Sequence, residues 1–187
     1  MKSNNFFNLM LPYALNQNII LPSIPLAQAA LETGFGKYTK RNNYFGIKSN
    51  KTQPHFISKT NEYINSNKVQ TICRFKKYNS ISDSFSDYLN LIQKERYRKV
   101  VLASNYMEGC KALYICGYAT DPNYASKLIS IIEKYSLSLW DDKLSSWAIK
   151  ARLYVINNKI SDGTRAKEFA TREEIWTMLM RQQNKLN

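Results

Sequence analysis

Cysteine is scarce in this chain and histidine almost absent. Cys73, Cys110 and Cys116 are an odd number of thiols in 187 residues, and no two of them form a Cys-x-x-Cys pair. That excludes a disulfide framework as the source of stability, and the three are expected to be buried thiols. With His55 as the one histidine, a zinc site lacks the usual ligands, and His55 is expected in a loop or a strand. No cofactor is expected. No apolar run approaches the ~20 residues that span a bilayer. The N-terminal string MKSNNFFNLMLPYALNQN holds only a short apolar patch, broken by Pro12, and lacks a signal-peptide layout. It is expected to form the first helix of the domain. No long internal repeat is visible. Acids are few as well: 14 Asp and Glu against 27 Lys and Arg leave a net charge of +13. Such a field favours an anionic polymer or an anionic lipid surface. The positive charge is dispersed, with only short clusters such as 37–41 and 94–99, and there is no basic arm and no recognised nucleic-acid motif.

What is present is a set of helical stripes. Helices are expected near 4–17, 23–33, 81–94, 97–104, 105–116 and 122–136. Phe85, Tyr88, Leu89 and Ile92 make one apolar stripe, and Leu128, Ile131, Ile132 and Tyr135 another. The region 54–76 differs. Phe56, Ile57, Tyr63 and Ile64 precede the polar turn Asn65-Ser66-Asn67, and partial alternation resumes from Val69 to Phe75, as in a β-hairpin. The fold class is therefore α+β, mainly helical, a lysozyme-like layout with a small β-hairpin lobe. Composition shifts at SLWDDK, so the domain is bounded at 1–138, a linker at 139–145, and a two-helix module at 146–187. In that module 147–158 and 171–183 read as helices around the loop Ser161-Asp162-Gly163-Thr164.

Glu32 ends an apolar helix in ILPSIPLAQAALETGFGKYTKRNNYFGIK. Ser23 can cap the start, and Pro25 is tolerated in a first turn. Leu26, Ala27, Ala30 and Leu31 recur at helical spacing, which marks one core face. Gly34 and Gly36 stop the helix. A carboxylate in the last turn faces the negative end of the helix dipole, which disfavours its charged form by roughly 0.3–1 kcal/mol. Burial beside Phe35 or Tyr44 would act in the same direction. A carboxyl held neutral is what a general acid requires. On the residues alone, a solvated glutamate at a helix end stands ahead of that reading.

The string PSIPLAQAALETGFGKYTKRNNYFGIK resembles the signature of glycoside hydrolase family 73, the glucosaminidase domain. FKKYNSISDSFSDYLNLI from Phe75 and YATDPNYASKLISIIEKYSL from Tyr118 fit the same family in the same order. The resemblance runs from about Phe6 to Leu137. Many relatives carry Ser-Gly-Trp-Gly after the glutamate where this chain has Thr33-Gly34-Phe35-Gly36, a conservative departure. The resemblance implies an endo-β-N-acetylglucosaminidase acting on bacterial peptidoglycan, with Glu32 as the catalytic acid. It also implies that Glu62 in KTNEYI, at the place of the family's T–x–E before FRKY, is the general base. The alternative for Glu62 is a solvent-facing hairpin carboxylate paired with Lys59 or Lys68. Either an activated water or the substrate's own N-acetyl group would then attack.

The resemblance further implies that the tyrosines of YATDPNY line the cleft. Tyr118 is the first candidate to contact sugar or support the acid, and Tyr124 the second. On the residues alone, Thr120 or Asp121 caps a helix there and Pro122 sits in its first turn. Asn43 and Phe45 are candidates for the cleft floor, with core packing the alternative for Phe45, and Phe35 is a candidate contact. Tyr97 is expected to pack between helices, and no role is assigned to Tyr78. Thirteen Tyr, eight Phe and three Trp suit carbohydrate, whose C–H faces stack on rings, and equally suit a helical core. In this setting the positive charge reads as affinity for anionic wall polymers, with no nucleic acid and no membrane insertion. The missing leader suits a phage lysin released through a holin or carried on the virion. WAIKARLYVINNKISDGTRAKEFATREEIWTMLMR resembles a shortened S-layer-homology-type unit, although Lys159 replaces the usual glycine before Ile160. Wall binding and a helical hairpin that docks or dimerises both remain open for it. A muramidase, a lytic transglycosylase or a non-catalytic wall-binding protein would share much of this pattern.

Overall fold

The computed structural model describes residues 3–50, 52–64, 67–142 and 146–184, with the side chains of residues 3, 4, 61–64, 68, 146 and 147 outside that description. The chain divides into two compact units, Met1–Asp141 and Asp142–Asn187. Among the described residues it is mainly helical with one two-stranded antiparallel sheet.

Helix α2 (Ser23–Thr33) is the centre of the first unit. The sequence suggests one buried face, but Ile24, Leu26, Ala27, Gln28, Ala29 and Ala30 are all buried, so the helix is enclosed on nearly every side. The alanines permit this, because small side chains let neighbouring backbones approach. Around α2 pack α1 (Ser3–Leu15), α5 (Tyr106–Ile115), α6 (Tyr124–Lys134) and a short 3₁₀ helix, Leu137–Trp140. The helix stops at Gly34, whose φ of +55° is the left-handed conformation open to glycine, and whose N–H bonds the carbonyl of Ala30.

The start of α2 corrects the expectation from Ser23. Ser23 is inside the helix, and Asp141, distant in sequence, supplies the cap. Its Oδ1 accepts the Ser23 N–H at 2.8 Å and its Oδ2 accepts the Ser23 hydroxyl at 2.7 Å. A carboxylate there satisfies an orphan N–H and complements the dipole. Leu137 and Trp140 are buried beside it. The stretch 139–141 therefore belongs to the first unit and is not linker, while 143–145 lie outside the described residues.

Helix α3 (Ile81–Ile92) begins with a capping box between Ser80 and Asp83 and buries Phe85, Tyr88 and Ile92 at the expected spacing. A 3₁₀ turn, Glu95–Tyr97, leads into the short α4 (Arg98–Val101). Helix α6 begins later than the sequence suggests. Asp121 accepts the N–H of Asn123 rather than capping directly, so Pro122 precedes the helix.

The hairpin pairs β1 (His55–Ile64) with β2 (Asn67–Lys76), from His55↔Lys76 to Ile64↔Asn67. Residues 65 and 66 of the expected turn lie outside the described residues. His55 opens β1 and is exposed. At the base of the hairpin, Ser49 donates to the carbonyl of Arg74 and Lys76 donates to that of Ile47, both at 2.9 Å, so the loop 43–49 is stitched to β2. Of the thiols, only Cys110 is buried; Cys73 and Cys116 are partly exposed, against expectation.

In the second unit, α7 (Ser146–Asn157) and α8 (Arg172–Gln183) flank a loop. Asp162 turns that loop by accepting the N–H and hydroxyl of Thr164. Buried Arg152 donates from Nε to the carbonyl of Gly163 at 2.7 Å. Helix α8 buries none of its residues and leaves Trp176, Leu179 and Met180 exposed.

Candidate active site

Glu32 occupies the last turn of α2, where the enclosed helix emerges. It stands on a groove of about 560 Å³. Leu31 and Glu32 of α2 form one part of the wall, and the segment 45–48 another. Thr60 and Phe75 bring in the hairpin, and Tyr97, Tyr118 and Tyr124 come from the helical side. The groove thus lies where the β-lobe meets the helical body. Its charged residues include Lys48, Arg96 and Lys127, with Asp121 the other described carboxylate on it. Asp121 is held by Lys127 at 2.5 Å and by the N–H of Asn123.

The two oxygens of Glu32 meet different surroundings. Oε1 accepts a hydrogen bond from the Tyr124 hydroxyl at 3.0 Å. That hydroxyl accepts from Gln28 Nε2, also at 3.0 Å, and Gln28 Oε1 accepts from the Tyr88 hydroxyl. Gln28 and Tyr88 are fully enclosed, and Tyr124 nearly so. Oε2 lies against Gly46, where an added β-carbon would come within 2.9 Å of it; Gly46 has φ +62°. Burial raises the pKa of Tyr88, Tyr118 and Tyr124 well above the ordinary phenol value, and the nearby Glu32 adds to this for the last two. All three are therefore protonated hydrogen-bond donors at neutral pH.

The other residues singled out by sequence separate into groups. Tyr118 lines the groove, with its ring stacked on Tyr124 at 6.0 Å. Its hydroxyl donates to the carbonyl of Phe45 at 2.8 Å, which ties Tyr118 to the segment 45–48. Phe45 reaches the groove but is 1% exposed, stacked on Tyr88 at 4.1 Å, which is the core reading. Asn43 is not on the floor. It is buried, and its side chain bonds both the N–H and the carbonyl of Ile47 and the carbonyl of Lys76, pinning the loop to the hairpin. Phe35 is also displaced from the groove. It packs among Phe6, Phe7 and Tyr135, in the left-handed turn that follows α2, with φ +58°. Tyr97 packs between elements as expected. Tyr78 donates to Asp87, which also binds Lys76, so it braces the end of β2.

Glu62 pairs in register with Val69, two positions along β1 from Thr60, which lines the groove. Its side chain lies outside the described residues, as does any partnership with Lys59 or Lys68. Sequence reasoning missed Gln28, Tyr88 and Gly46. The signal for Gln28 was available: it is the one polar side chain among residues 24–31 of α2, one turn before Glu32. Gly46 stood unremarked inside NYFGIK. Among the described residues, no group of three or more His, Cys, Asp and Glu side chains is arranged to hold a metal ion.

The Glucosaminidase family, described as mannosyl-glycoprotein endo-beta-N-acetylglucosaminidase, matches residues 8–137. Exo-glucosaminidase LytG of Bacillus subtilis (strain 168) is 40% identical over an alignment of 133 residues that covers 66% of this chain and 47% of LytG. Peptidoglycan hydrolase FlgJ of Escherichia coli (strain K12) is 38% identical over 119 residues, 58% of this chain and 38% of FlgJ. Among solved structures, that of a peptidoglycan hydrolase mutant from Sphingomonas sp. A1 matches with a TM-score of 0.66 at 34% identity, covering 71% of this chain and 94% of that one. The chain spans less than half the length of these two curated relatives.

Proposed function

The chain belongs to the glucosaminidase family, and from that membership we propose that it hydrolyses peptidoglycan at the β-1,4 bond between N-acetylglucosamine and N-acetylmuramic acid. One observation carries the reading most of the way. The carboxyl at the end of α2 lines a groove shared by the helical body and the hairpin, with one oxygen held by a tyrosine and the other against Gly46, which lines the same groove. In this reading, neutral Glu32 protonates the departing glycosidic oxygen as positive charge grows on the anomeric carbon. The opposite face of the sugar is served by a water held by Glu62 or by the substrate's own N-acetyl oxygen. The hairpin supports the first route, because a strand that walls the groove can bring a carboxylate over the bound glycan.

Product analysis on purified cell wall tests this with three proteins. The wild type should release fragments with reducing N-acetylglucosamine ends, internal cuts giving long fragments before short ones. Glu32→Gln should lower turnover by about 10²–10⁴-fold while remaining folded. Glu62→Gln should fall comparably if water is the nucleophile, and far less if the N-acetyl group is. Anhydro-muramic ends, or wild-type turnover by Glu32→Gln, would overturn the assignment.

For the second unit the proposal is binding to the wall. The exposed Trp176, Tyr154 and Phe169 support it, since rings presented to solvent suit stacking on sugar, and the positive charge of the chain suits anionic wall polymers. Sedimentation of residues 142–187 with insoluble wall is the direct test, and retention in the supernatant would reject it.

A further inference from the structure

We infer that Gln28 is a positioning residue for the acid, fixing through Tyr124 which oxygen of Glu32 carries the proton. The inference rests on the catalytic reading of Glu32. Gln28 lies one turn before Glu32 on α2, so the two share a face. A fully buried amide must find partners at both ends. Its oxygen takes the Tyr88 proton, which leaves its nitrogen to donate to the Tyr124 oxygen. The reversed amide would take the acceptor away from the enclosed Tyr88 hydroxyl and turn the Tyr124 proton away from Glu32. In the observed orientation Tyr124 has one course left, to donate to Glu32 Oε1.

The consequence falls on the acid. Oε1 already faces a proton, so a second one there would point hydrogen at hydrogen. The neutral carboxyl therefore carries its proton on Oε2, over Gly46, at the groove. Three side chains from α3, α2 and α6, with no exposed polar atom needed before Glu32, turn the packing of the core into the placement of one hydrogen. Among the described residues, the other charged or titratable groups on the groove are Tyr97, Tyr118, Asp121 and Lys127, Lys48 from the loop, and Arg96. They are the same in every variant below and cancel in the comparison.

The test is the pH–rate profile on purified wall fragments for Gln28→Met, Tyr88→Phe, Tyr124→Phe and the double variant Gln28→Met/Tyr124→Phe, with Glu32→Gln as control. In Gln28→Met the Tyr124 oxygen becomes able to accept, so neutral Glu32 can also hold its proton on Oε1. An added bond from the neutral form favours that form, so the alkaline limb moves to higher pH. The proton is then part of the time on the wrong oxygen, so kcat should fall about tenfold with KM within about twofold. In the Tyr124→Phe background, Gln28→Met should add no further shift, because there is no hydroxyl left to redirect. Tyr88→Phe removes a single oxygen, and should move the profile the same way by less; it carries the test if Gln28→Met does not fold. A loss of kcat with the limb unmoved, or full additivity with Tyr124→Phe, overturns the inference and leaves Gln28 a packing residue. Wild-type turnover by Glu32→Gln would instead remove the acid itself. An inactive Glu32→Gln beside wild-type profiles for Gln28→Met and Tyr88→Phe rejects the Gln28 role alone.

Discussion

Position 46 admits no side chain for two separate reasons. Its φ of +62° is costly for any residue with a β-carbon, and that carbon would come within 2.9 Å of Glu32 Oε2. Gly46→Ala should therefore cost about 1–2 kcal/mol from the backbone alone, read from a urea melt. It should also displace the acid, with kcat/KM down by about 10²-fold. Tyr118→Phe separates a structural hydroxyl from a substrate-binding one. Losing its bond to the Phe45 carbonyl should destabilise the fold by about 1–3 kcal/mol, with KM on wall fragments nearly unchanged; a large rise in KM would return that hydroxyl to the sugar. Cys110 is a simpler case. Burial first, and Asp141 second, push its thiol up to about 12. A raised thiol pKa lowers the thiolate fraction, so at pH 8 the native protein should resist alkylation at Cys110, with mass spectrometry showing label at Cys73 and Cys116 only.

Elements here are held at their ends by residues remote in sequence. The N-terminus of α2 is finished by Asp141, so Asp141→Ala should cost about 0.5–2 kcal/mol, the usual value of a lost helix cap. Thermal melts check this, and the effect should exceed that of altering exposed Asp142. The hairpin depends on Asn43 in the same way. One amide bonds Ile47 twice and Lys76 once, coupling the loop that carries Gly46 to the strand that carries Phe75. Asn43→Ala should free the base of the hairpin. The expected signs are faster amide exchange across β2 and a higher KM, with kcat less affected, because the groove wall loosens while the acid keeps its tyrosine. Arg96 does a similar service for Tyr118, bonding the carbonyls of Cys116 and Gly117 just before it.

For the whole molecule, the boundary between units has a measurable consequence. A chain ending at Asp141 keeps Leu137, Trp140 and the α2 cap, and should fold and cut soluble glycan fragments as the full chain does. A chain ending at Ser138 loses Trp140 and Asp141, and should melt several degrees lower. The change of composition at SLWDDK drew the sequence boundary too early. A tryptophan followed by two aspartates reads as polar linker until the groups that receive them are known.

The amino-acid sequence by itself determined most of the helices, the hairpin and the place of Glu32 at the end of α2. Each is a local matter: apolar residues at helical spacing, alternation around a polar turn, glycines that stop α2 one residue after Thr33. The motif order placed the chain in its family for the same reason. Only the tertiary structure decided what surrounds the acid. Phe35 and Asn43 stand close to Glu32 or Gly46 in sequence yet turn away into packing and loop support, while Gln28, Tyr88 and Tyr124 come from three helices to one hydrogen-bonded chain. No periodicity reports such a chain, because a buried polar side chain is directed by whichever partner can satisfy it, and that partner is chosen by how the helices pack.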